Sequence, residues 1–296
     1  MITATRGERV FSIANIVFVA LSAALCLFPI LHVLAVSFSS STAVTNGRVT
    51  LWPVEFSLDS YAFVLKNPDY FKSFLISAER TAIGLALSLF ITILTAYPLS
   101  KEVKEFPQRT FYVWFFFVTM LFGGGLIPYY MTVKALGLIN SIWVLVIPGA
   151  LSVWNTLLLL NFMRGLPKDV PESAFVDGAG HWTTLWKIII PMSKPVLATL
   201  VVFISVGHWN SWFDGLIFIN NPKNFPLQTY LQSIVVEVDY SKLQNATKEE
   251  LEAMDAISNR TFKAAQIFVA TFPILCVYPF MQKHFVKGIV IGSVKE

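Results

Sequence analysis

Charged residues are scarce in this sequence. They make up 14% of the 296 residues, whereas 55% are hydrophobic and the mean hydropathy is +0.63. A soluble domain carries roughly 25% charged residues, because its surface faces water. With too few charges to cover a globule, the chain is predicted to be a polytopic membrane protein whose outer surface faces lipid.

Motifs for common enzyme chemistry are missing too. There is no GxxxxGK[ST] loop to hold ATP phosphates, no HExxH zinc pair and no GxSxG nucleophile elbow. Cys26 and Cys276 stand far apart, which fits neither a CxxC redox pair nor a zinc ribbon. The four histidines are scattered. We therefore expect no catalytic residue, metal or cofactor in this chain, and no enzyme activity of its own.

Long apolar segments are abundant. A bilayer core requires about 20 mostly apolar residues per helix. Six stretches meet or nearly meet this length: Val10 to Val36, Thr81 to Leu99, Phe111 to Leu126, Ile142 to Leu160, Pro195 to Ile219 and Ala264 to Met281. The sequence thus predicts an all-α fold with six transmembrane helices in a single domain, residues 1–296. The first stretch exceeds the roughly 7 to 15 apolar residues of a secretory signal, so we expect it to be retained.

The basic residues favour one orientation. If both termini lie inside, the short inside segments hold twelve of the 22 Lys and Arg residues. The others fall on longer, more acidic outside segments, which count little in the positive-inside rule. We therefore expect both termini in the cytoplasm. The segment of about residues 164–191 is then cytoplasmic, and the loop of about residues 220–262 lies outside.

The predicted cytoplasmic segment begins with a short helix. Asp169 is a candidate N-cap, Pro171 falls in the first turn, and the charge of Glu172 lies near the positive end of the helix dipole. Gly178 and Gly180 then permit a turn. This pattern predicts the first arm of a helical hairpin.

The second arm follows as "HWTTLWKIII". Trp182, Leu185 and Trp186 have the i, i+3, i+4 spacing of one apolar helix face. One interpretation is an amphipathic loop lying on the membrane. The other is a protruding peg that docks into a partner, with the small Ser173 and Ala174 allowing close approach.

The same segment resembles the EAA motif of permease subunits of ABC importers. That motif reads Glu-Ala-Ala, three residues, Gly, nine residues, Ile, one residue, Leu-Pro, and this chain has matching spacings at Glu172-Ser173-Ala174, Gly178, Ile188 and Ile190-Pro191. It departs from the motif at Ser173 and Ile190. Four further stretches are similar to the carbohydrate branch that contains the maltose permeases: "LGLINSIWVLVIPG", "NFMRGLPKDVPESA", "PMSKPVLATL" and "GHWNSWFDGLIFI". The last of these, with "FPLQTYLQSI" and the C-terminal residues 257–296, is similar to the oligosaccharide subgroup of the LplC and YtcP type.

The resemblance implies a role for the hairpin. In this family it is a coupling helix seated in a cytoplasmic ATPase subunit, and the residues it assigns to coupling are Glu172, Ser173, Ala174, Asp177, Gly178, Gly180, Ile188 and Pro191. Glu172 would be the polar anchor, Ala174 the close-contact residue and Gly178 the turn. Alternatively, Glu172 stabilises only its own helix, by about 0.3 to 1 kcal/mol, and Gly178 is only a turn glycine.

The resemblance also implies partners. These are a second permease subunit, two ATPase subunits that bind ATP and Mg²⁺, and an external solute-binding protein, assembled at the bacterial inner membrane without nucleic acid. The implied cargo is an oligosaccharide, with uronic-acid oligomers such as alginate or pectin fragments among the candidates. Near the predicted outer mouth, carboxylates balance the charges of Lys66, Lys72 and Lys134. The charge of this region therefore does not indicate whether the oligosaccharide is acidic.

A polar and aromatic cluster late in the fifth stretch is a candidate substrate path. Aromatic faces stack on sugar rings and polar side chains bond hydroxyls, and the cluster supplies both through Trp209, Asn210, Trp212, Phe213 and Asp214. Trp154 and Asn155 form a similar, weaker pair. The alternative is an interfacial aromatic belt in which Asn210 packs one helix on another.

A proton-coupled secondary sugar transporter is the alternative function. Such a protein normally carries ionisable groups deep in its spans, whereas Glu79 and Asp214 lie near predicted edges. A membrane enzyme is disfavoured by the missing motifs. The sequence therefore favours the importer subunit.

Overall fold

The computed structural model describes residues 6–236 and 260–276. All regular structure in these two ranges is helical, apart from an isolated antiparallel bridge between Ser39 and Phe56. The predicted all-α class is confirmed for this part of the chain. By internal contacts the chain divides into two compact units, and the described residues of the first are 6–71, 233–236 and 260–272. Those of the second are 72–232 and 273–276.

The first unit begins with a long apolar helix, α1 (Arg6–Ser37), which confirms the predicted first span. Its apolar side chains are exposed along most of its length, as expected of a helix that faces lipid. Two short helices follow, α2 (Ser41–Thr45) and α3 (Asp59–Lys66). The small core of this unit consists of Ala35, Val36, Ala43, Val44, Val49 and Ala264.

The second predicted span is part of α4 (Pro68–Ser100), a helix 33 residues long. It starts earlier than the apolar stretch from Thr81 because the sequence caps it: the Asn67 side chain accepts hydrogen bonds from the backbone N–H groups of Asp69 and Tyr70. Pro68 occupies the first helical position, where its missing N–H costs nothing.

The third predicted span is broken near its end. Helix α5 (Arg109–Leu121) stops five residues before the predicted limit at Leu126, and α6 (Leu126–Ala135) leaves at an angle of 118°. The break contains three consecutive glycines, and Gly125 has φ +82°, a conformation that suits glycine.

The prediction of a continuous helix from Ile142 to Leu160 is wrong. A 3₁₀ turn covers Ile142–Leu145, and α7 (Val153–Arg164) begins only after Ser152, whose hydroxyl accepts a hydrogen bond from the Asn155 N–H. Pro148 disfavours helical conformation in the residue before it, which explains why the apolar run is not one helix. Helix α7 has 12 residues, or about 18 Å, which is shorter than a bilayer core.

The hairpin and the fifth predicted span form a series of helical pieces. They are α8 (Asp169–Val176), α9 (His181–Thr184), a π-helical segment (Leu185–Ile189), α10 (Ile190–Met192), α11 (Lys194–Asn210) and α12 (Phe213–Phe218). The axis bends by 82° between Met192 and Lys194. Because α11 ends at Asn210 and α12 begins at Phe213, the predicted fifth span is also interrupted at Ser211 and Trp212.

Within residues 6–236 and 260–276, two single helices are long and apolar enough to cross a membrane, at Val10–Ser37 and Pro68–Ser100. The two bent pairs, α5 with α6 and the 181–192 segment with α11, raise the number to four if each pair is one span. After a 3₁₀ turn (Pro222–Asn224), α13 (Leu227–Val236) and α14 (260–276) complete the described chain. Residues 277–281 of the sixth predicted span and 237–259 of the predicted outside loop lie outside the described residues.

The main core of the second unit lies where α4, α7 and α11 meet. Ala96, Leu159 and Leu200 are fully buried there, and Leu185 and Ile189 pack against them from the hairpin arm. The second arm of the hairpin is therefore packed on this core, and that packing fixes the position of the hairpin.

Candidate functional site

The hairpin turn has the geometry that its glycine predicts. Gly178 has φ +82°, its N–H donates to the carbonyl of Phe175, and the Ala179 N–H donates to the carbonyl of Ala174. This pair of bonds is the Schellman arrangement that ends a helix with a left-handed residue. Gly180 has φ −79° and ψ 169°, an extended conformation open to any residue, so the turn itself requires only Gly178.

The first arm differs from the prediction at its start. Lys168 occupies the N-cap position without a side-chain cap, and Asp169 is the first helical residue. Ala174 is only 8% exposed and packs inside the chain. The outward residues are Glu172, Ser173, Asp177 and Val176, which is 87% exposed.

The second arm does not present one apolar face. Leu185 is buried, whereas Trp182 and Trp186 are exposed. The predicted i, i+3, i+4 face is therefore not observed, and the arm continues from Leu185 as a π-helical segment. Ile188 is half-buried and Pro191 is exposed.

The hairpin contacts the end of α4 and the next residue, Lys101, through a hydrogen bond and a cation–π contact. Lys101 Nζ lies 5.1 Å from the ring centroid of Phe175 and 3.0 Å from a carboxylate oxygen of Glu105. The hydroxyl of Tyr97 lies 3.3 Å from Nδ1 of His181, whose ring contacts Phe175 edge-on. Tyr97 and Lys101 were not singled out from the sequence, because the contacts join residues more than 70 positions apart.

Further bonds hold the connecting loops. The carbonyl of Leu99, at the end of α4, accepts from Arg109 Nε at 2.9 Å and from Arg164 Nη2 at 3.1 Å. Lys168 forms an ion pair with Glu102, which lowers the pKa of the Glu102 carboxyl and raises that of the Lys168 ammonium, chiefly through their hydrogen bond. Both side chains are solvated. A cleft of about 710 Å³ lies among these charges and is lined on one side by the hairpin, including Glu172.

The candidate substrate path divides into exposed and buried side chains. Asn210, Trp212 and Phe213 are exposed around the break between α11 and α12. Trp209 is 7% exposed and packs edge-on against Phe74 at 5.5 Å. Its ring is therefore covered by its own chain.

Asp214 is also engaged within the chain. Its carboxylate accepts hydrogen bonds from the Ser211 hydroxyl and the Gly215 N–H, both at 2.9 Å, and forms an ion pair with Arg80. Arg80 was missed from the sequence, although an arginine at the edge of an apolar run is a signal for function. On α7, Trp154 is exposed and Asn155 is half-buried.

Long apolar helices with exposed side chains, a broken helix and an exposed polar hairpin are the features of a helical membrane protein. No group of three His, Cys, Asp or Glu side chains that could hold a metal occurs in the described ranges. The model of the binding-protein-dependent transport system inner membrane component family matches residues 75–291, and the chain belongs to this family.

Similar proteins agree with this assignment. The chain is 37% identical to protein LplC of Bacillus subtilis (strain 168) over 98% of this chain and 97% of that protein. It is 37% identical to the polygalacturonan/rhamnogalacturonan transport system permease protein YtcP of the same organism, over 97% of this chain and 99% of that one. A crystal structure of a bacterial ABC transporter involved in the import of the acidic polysaccharide alginate has a chain with TM-score 0.87 and 31% identity, covering 96% of this chain and 100% of that chain.

These comparisons confirm the resemblance drawn from the EAA-like segment. The chain is an inner-membrane permease subunit of a binding-protein-dependent importer, and it is not itself the ATP-hydrolysing enzyme. The family is not that of proton-coupled secondary transporters, so the alternative function is set aside.

Proposed function

We propose that this chain is one of two permease subunits of an ABC importer that moves an acidic oligosaccharide into the cytoplasm. The observation that carries the substrate class is the likeness, at TM-score 0.87 over 96% of the chain, to a permease chain of an alginate importer. The relative YtcP is named for polygalacturonan and rhamnogalacturonan, which are also polymers of acidic sugars.

Coupling to ATP is assigned to the hairpin within residues 164–191. Its outward side carries Glu172, Ser173 and Asp177 for polar contacts. The nearly fully exposed Val176 offers an apolar side chain that would be removed from water when a partner binds. Ala174, Gly178 and Gly180 shape the hairpin, while Ile188 and Pro191 connect it to the fifth span. ATP and Mg²⁺ bind in two partner ATPase subunits, and closure of those subunits moves the hairpin.

The membrane arrangement is part of the same proposal. Residues 1–296 form one permease domain of six spans, with both termini and the hairpin in the cytoplasm and the loop of about 220–262 outside. A solute-binding protein delivers the sugar to the outer face, as the family description implies. A span built from broken helices is compatible with lipid where the loosened backbone lines a cavity or lies within protein.

Sugar contacts are assigned to the exposed part of the α11–α12 break. Asn210 supplies hydrogen bonds to hydroxyls, and Trp212 and Phe213 supply faces for sugar rings. Trp209 and Asp214, whose side chains are engaged inside the chain, hold the break in place. Trp154 and Asn155 are assigned to a second contact along the path.

The substrate test uses the cognate binding protein and the reconstituted importer. Oligogalacturonate or oligoalginate should raise the melting temperature of the binding protein and stimulate ATP hydrolysis by the complex in lipid nanodiscs. A neutral maltooligosaccharide of equal length is the matched control. Protection and stimulation by the neutral sugar alone would contradict the acidic substrate class.

A further inference from the structure

One face of α4 carries small or polar side chains that are all buried. They recur every three or four residues and are Ser73, Ser77, Arg80, Gly84, Ser88 and Thr92. Residues at this spacing share a helix face, and small residues let membrane helices approach closely. The two helices approach closely at Gly84, where a Cβ would lie 2.5 Å from Nε2 of His208 on α11.

Arg80 is the charged member of this face, and it is 2% exposed. Its Nη1 donates to the Ser211 carbonyl and to the Asp214 carboxylate, each at 3.2 Å, and its Nη2 forms an ion pair with the other carboxylate oxygen. The paired groups therefore make a bidentate contact, which fixes orientation as well as charge. Removing one partner of a buried pair leaves an uncompensated charge, so the pair is energetically demanding to break.

These bonds act on the break between α11 and α12. The Ser211 carbonyl, just past the end of α11, accepts from Arg80, while the Trp212 carbonyl accepts from the Thr229 hydroxyl at 2.7 Å and from the Leu216 N–H at 3.2 Å. Non-helical backbone in a membrane protein persists only where its polar groups are satisfied by protein or water. Arg80 thus maintains the break that leaves Trp212 and its neighbours exposed.

The part of α4 that precedes Arg80 also contacts the segment that follows α12. Lys72 donates to the side chain of Asn224 at 2.9 Å, and the Ser77 hydroxyl accepts from the Leu227 N–H at 2.7 Å. This half of α4 and the region from Ser211 to Thr229 are therefore joined at several points.

The other end of α4 contacts the coupling hairpin through Tyr97 and Lys101. From Arg80 to Tyr97 the helix is continuous, a length of about 25 Å at 1.5 Å per residue. A displacement of the hairpin therefore reaches Arg80 through one rigid element.

We infer that Arg80 is a positioning residue for transport: through Asp214 and the Ser211 carbonyl it fixes the α11–α12 break to α4, so that hairpin movement reaches the sugar path. This role rests on the proposed function. Arg80 is itself buried, so it acts on the exposed path residues without contacting the sugar.

The test compares variants in the complete importer, reconstituted in nanodiscs with its loaded binding protein. Arg80→Met should lower stimulated ATP hydrolysis and sugar uptake by at least about tenfold, as misplaced functional groups do. Basal hydrolysis and the concentration of binding protein giving half-maximal stimulation should stay within about twofold, because the ATPase and docking sites are untouched. Glu79→Gln, at the neighbouring and exposed position, is the matched control and should behave as wild type.

Arg80→Lys decides the outcome if Arg80→Met does not assemble. Lysine keeps the cation but loses the bidentate fork, so coupling should fall while assembly persists. Full coupling in an assembled Arg80→Lys importer would overturn the inference, as would an Arg80→Met variant that only assembles less but couples normally. A wild-type complex without stimulation by any loaded binding protein would instead contradict the proposed function.

Discussion

At the scale of single residues, Gly178 sets the shape of the hairpin. With φ +82° it occupies the left-handed region, where a Cβ costs roughly 1 to 2 kcal/mol. We predict that Gly178→Ala loosens the turn by about this amount and speeds hydrogen exchange of the amides around Ala179. Gly180→Ala is the matched control, because Gly180 has φ −79° and open space where its Cβ would lie. Equal exchange in the two variants would show that the turn does not depend on the left-handed residue.

Substitution of Glu172 distinguishes two roles of the first hairpin arm: a peg that docks into the ATPase, or a helix in which Glu172 stabilises only the helix itself. We predict that Glu172→Lys leaves membrane insertion intact and abolishes the ATP hydrolysis linked to transport, because a partner contact is reversed in charge. Asp169→Lys is the control, since Asp169 is also exposed in the first turn of α8 and faces the same helix dipole. If both variants lose activity equally, the dipole accounts for the effect, and normal hydrolysis in Glu172→Lys would remove the docking role.

At the scale of elements, some features followed directly from the sequence. The long apolar runs predicted α1 and most of α4, and the glycine and the EAA-like spacing predicted the hairpin with its turn at Gly178. Hydropathy could not show that the run from Ile142 is interrupted, because a chain can be uniformly apolar and still break at Pro148. The pairing of Arg80 with Asp214 joins positions 134 residues apart and depends on tertiary packing.

The contact between α4 and the hairpin gives a prediction for Lys101. A cation over an aromatic ring contributes about 0.5 to 1 kcal/mol, so Lys101→Met, which keeps the apolar stem, should let the hairpin detach about two- to fivefold more often. Hydrogen exchange of residues 175–181 should rise, and more ATP should be hydrolysed per sugar imported. Lys104→Met is the control, because Lys104 is exposed on the same loop. An unchanged ratio of ATP to sugar in Lys101→Met would contradict transmission through this contact.

At the scale of the whole molecule, coupling depends on which side of the membrane each loop occupies. The proposed coupling places the hairpin in the cytoplasm with the ATPases, and the proposed six-span arrangement then places the segment between α1 and α4 outside. Two native cysteines complicate a labelling test, since both Cys26 and Cys276 are exposed in the isolated chain. Replacing both with alanine gives a background in which each new thiol reports one position.

In that background we predict opposite labelling of two exposed sites. Trp52→Cys, between the first two predicted spans, should react with a membrane-impermeant maleimide in intact spheroplasts, because position 52 is highly exposed. Asp169→Cys, at an exposed position on α8 of the hairpin, should react only after the membrane is permeabilised. Transport activity retained in both variants shows that the orientation measured is that of the working importer. Labelling of position 169 from outside would place the hairpin where no ATPase can reach it, and coupling through Glu172 would then be excluded.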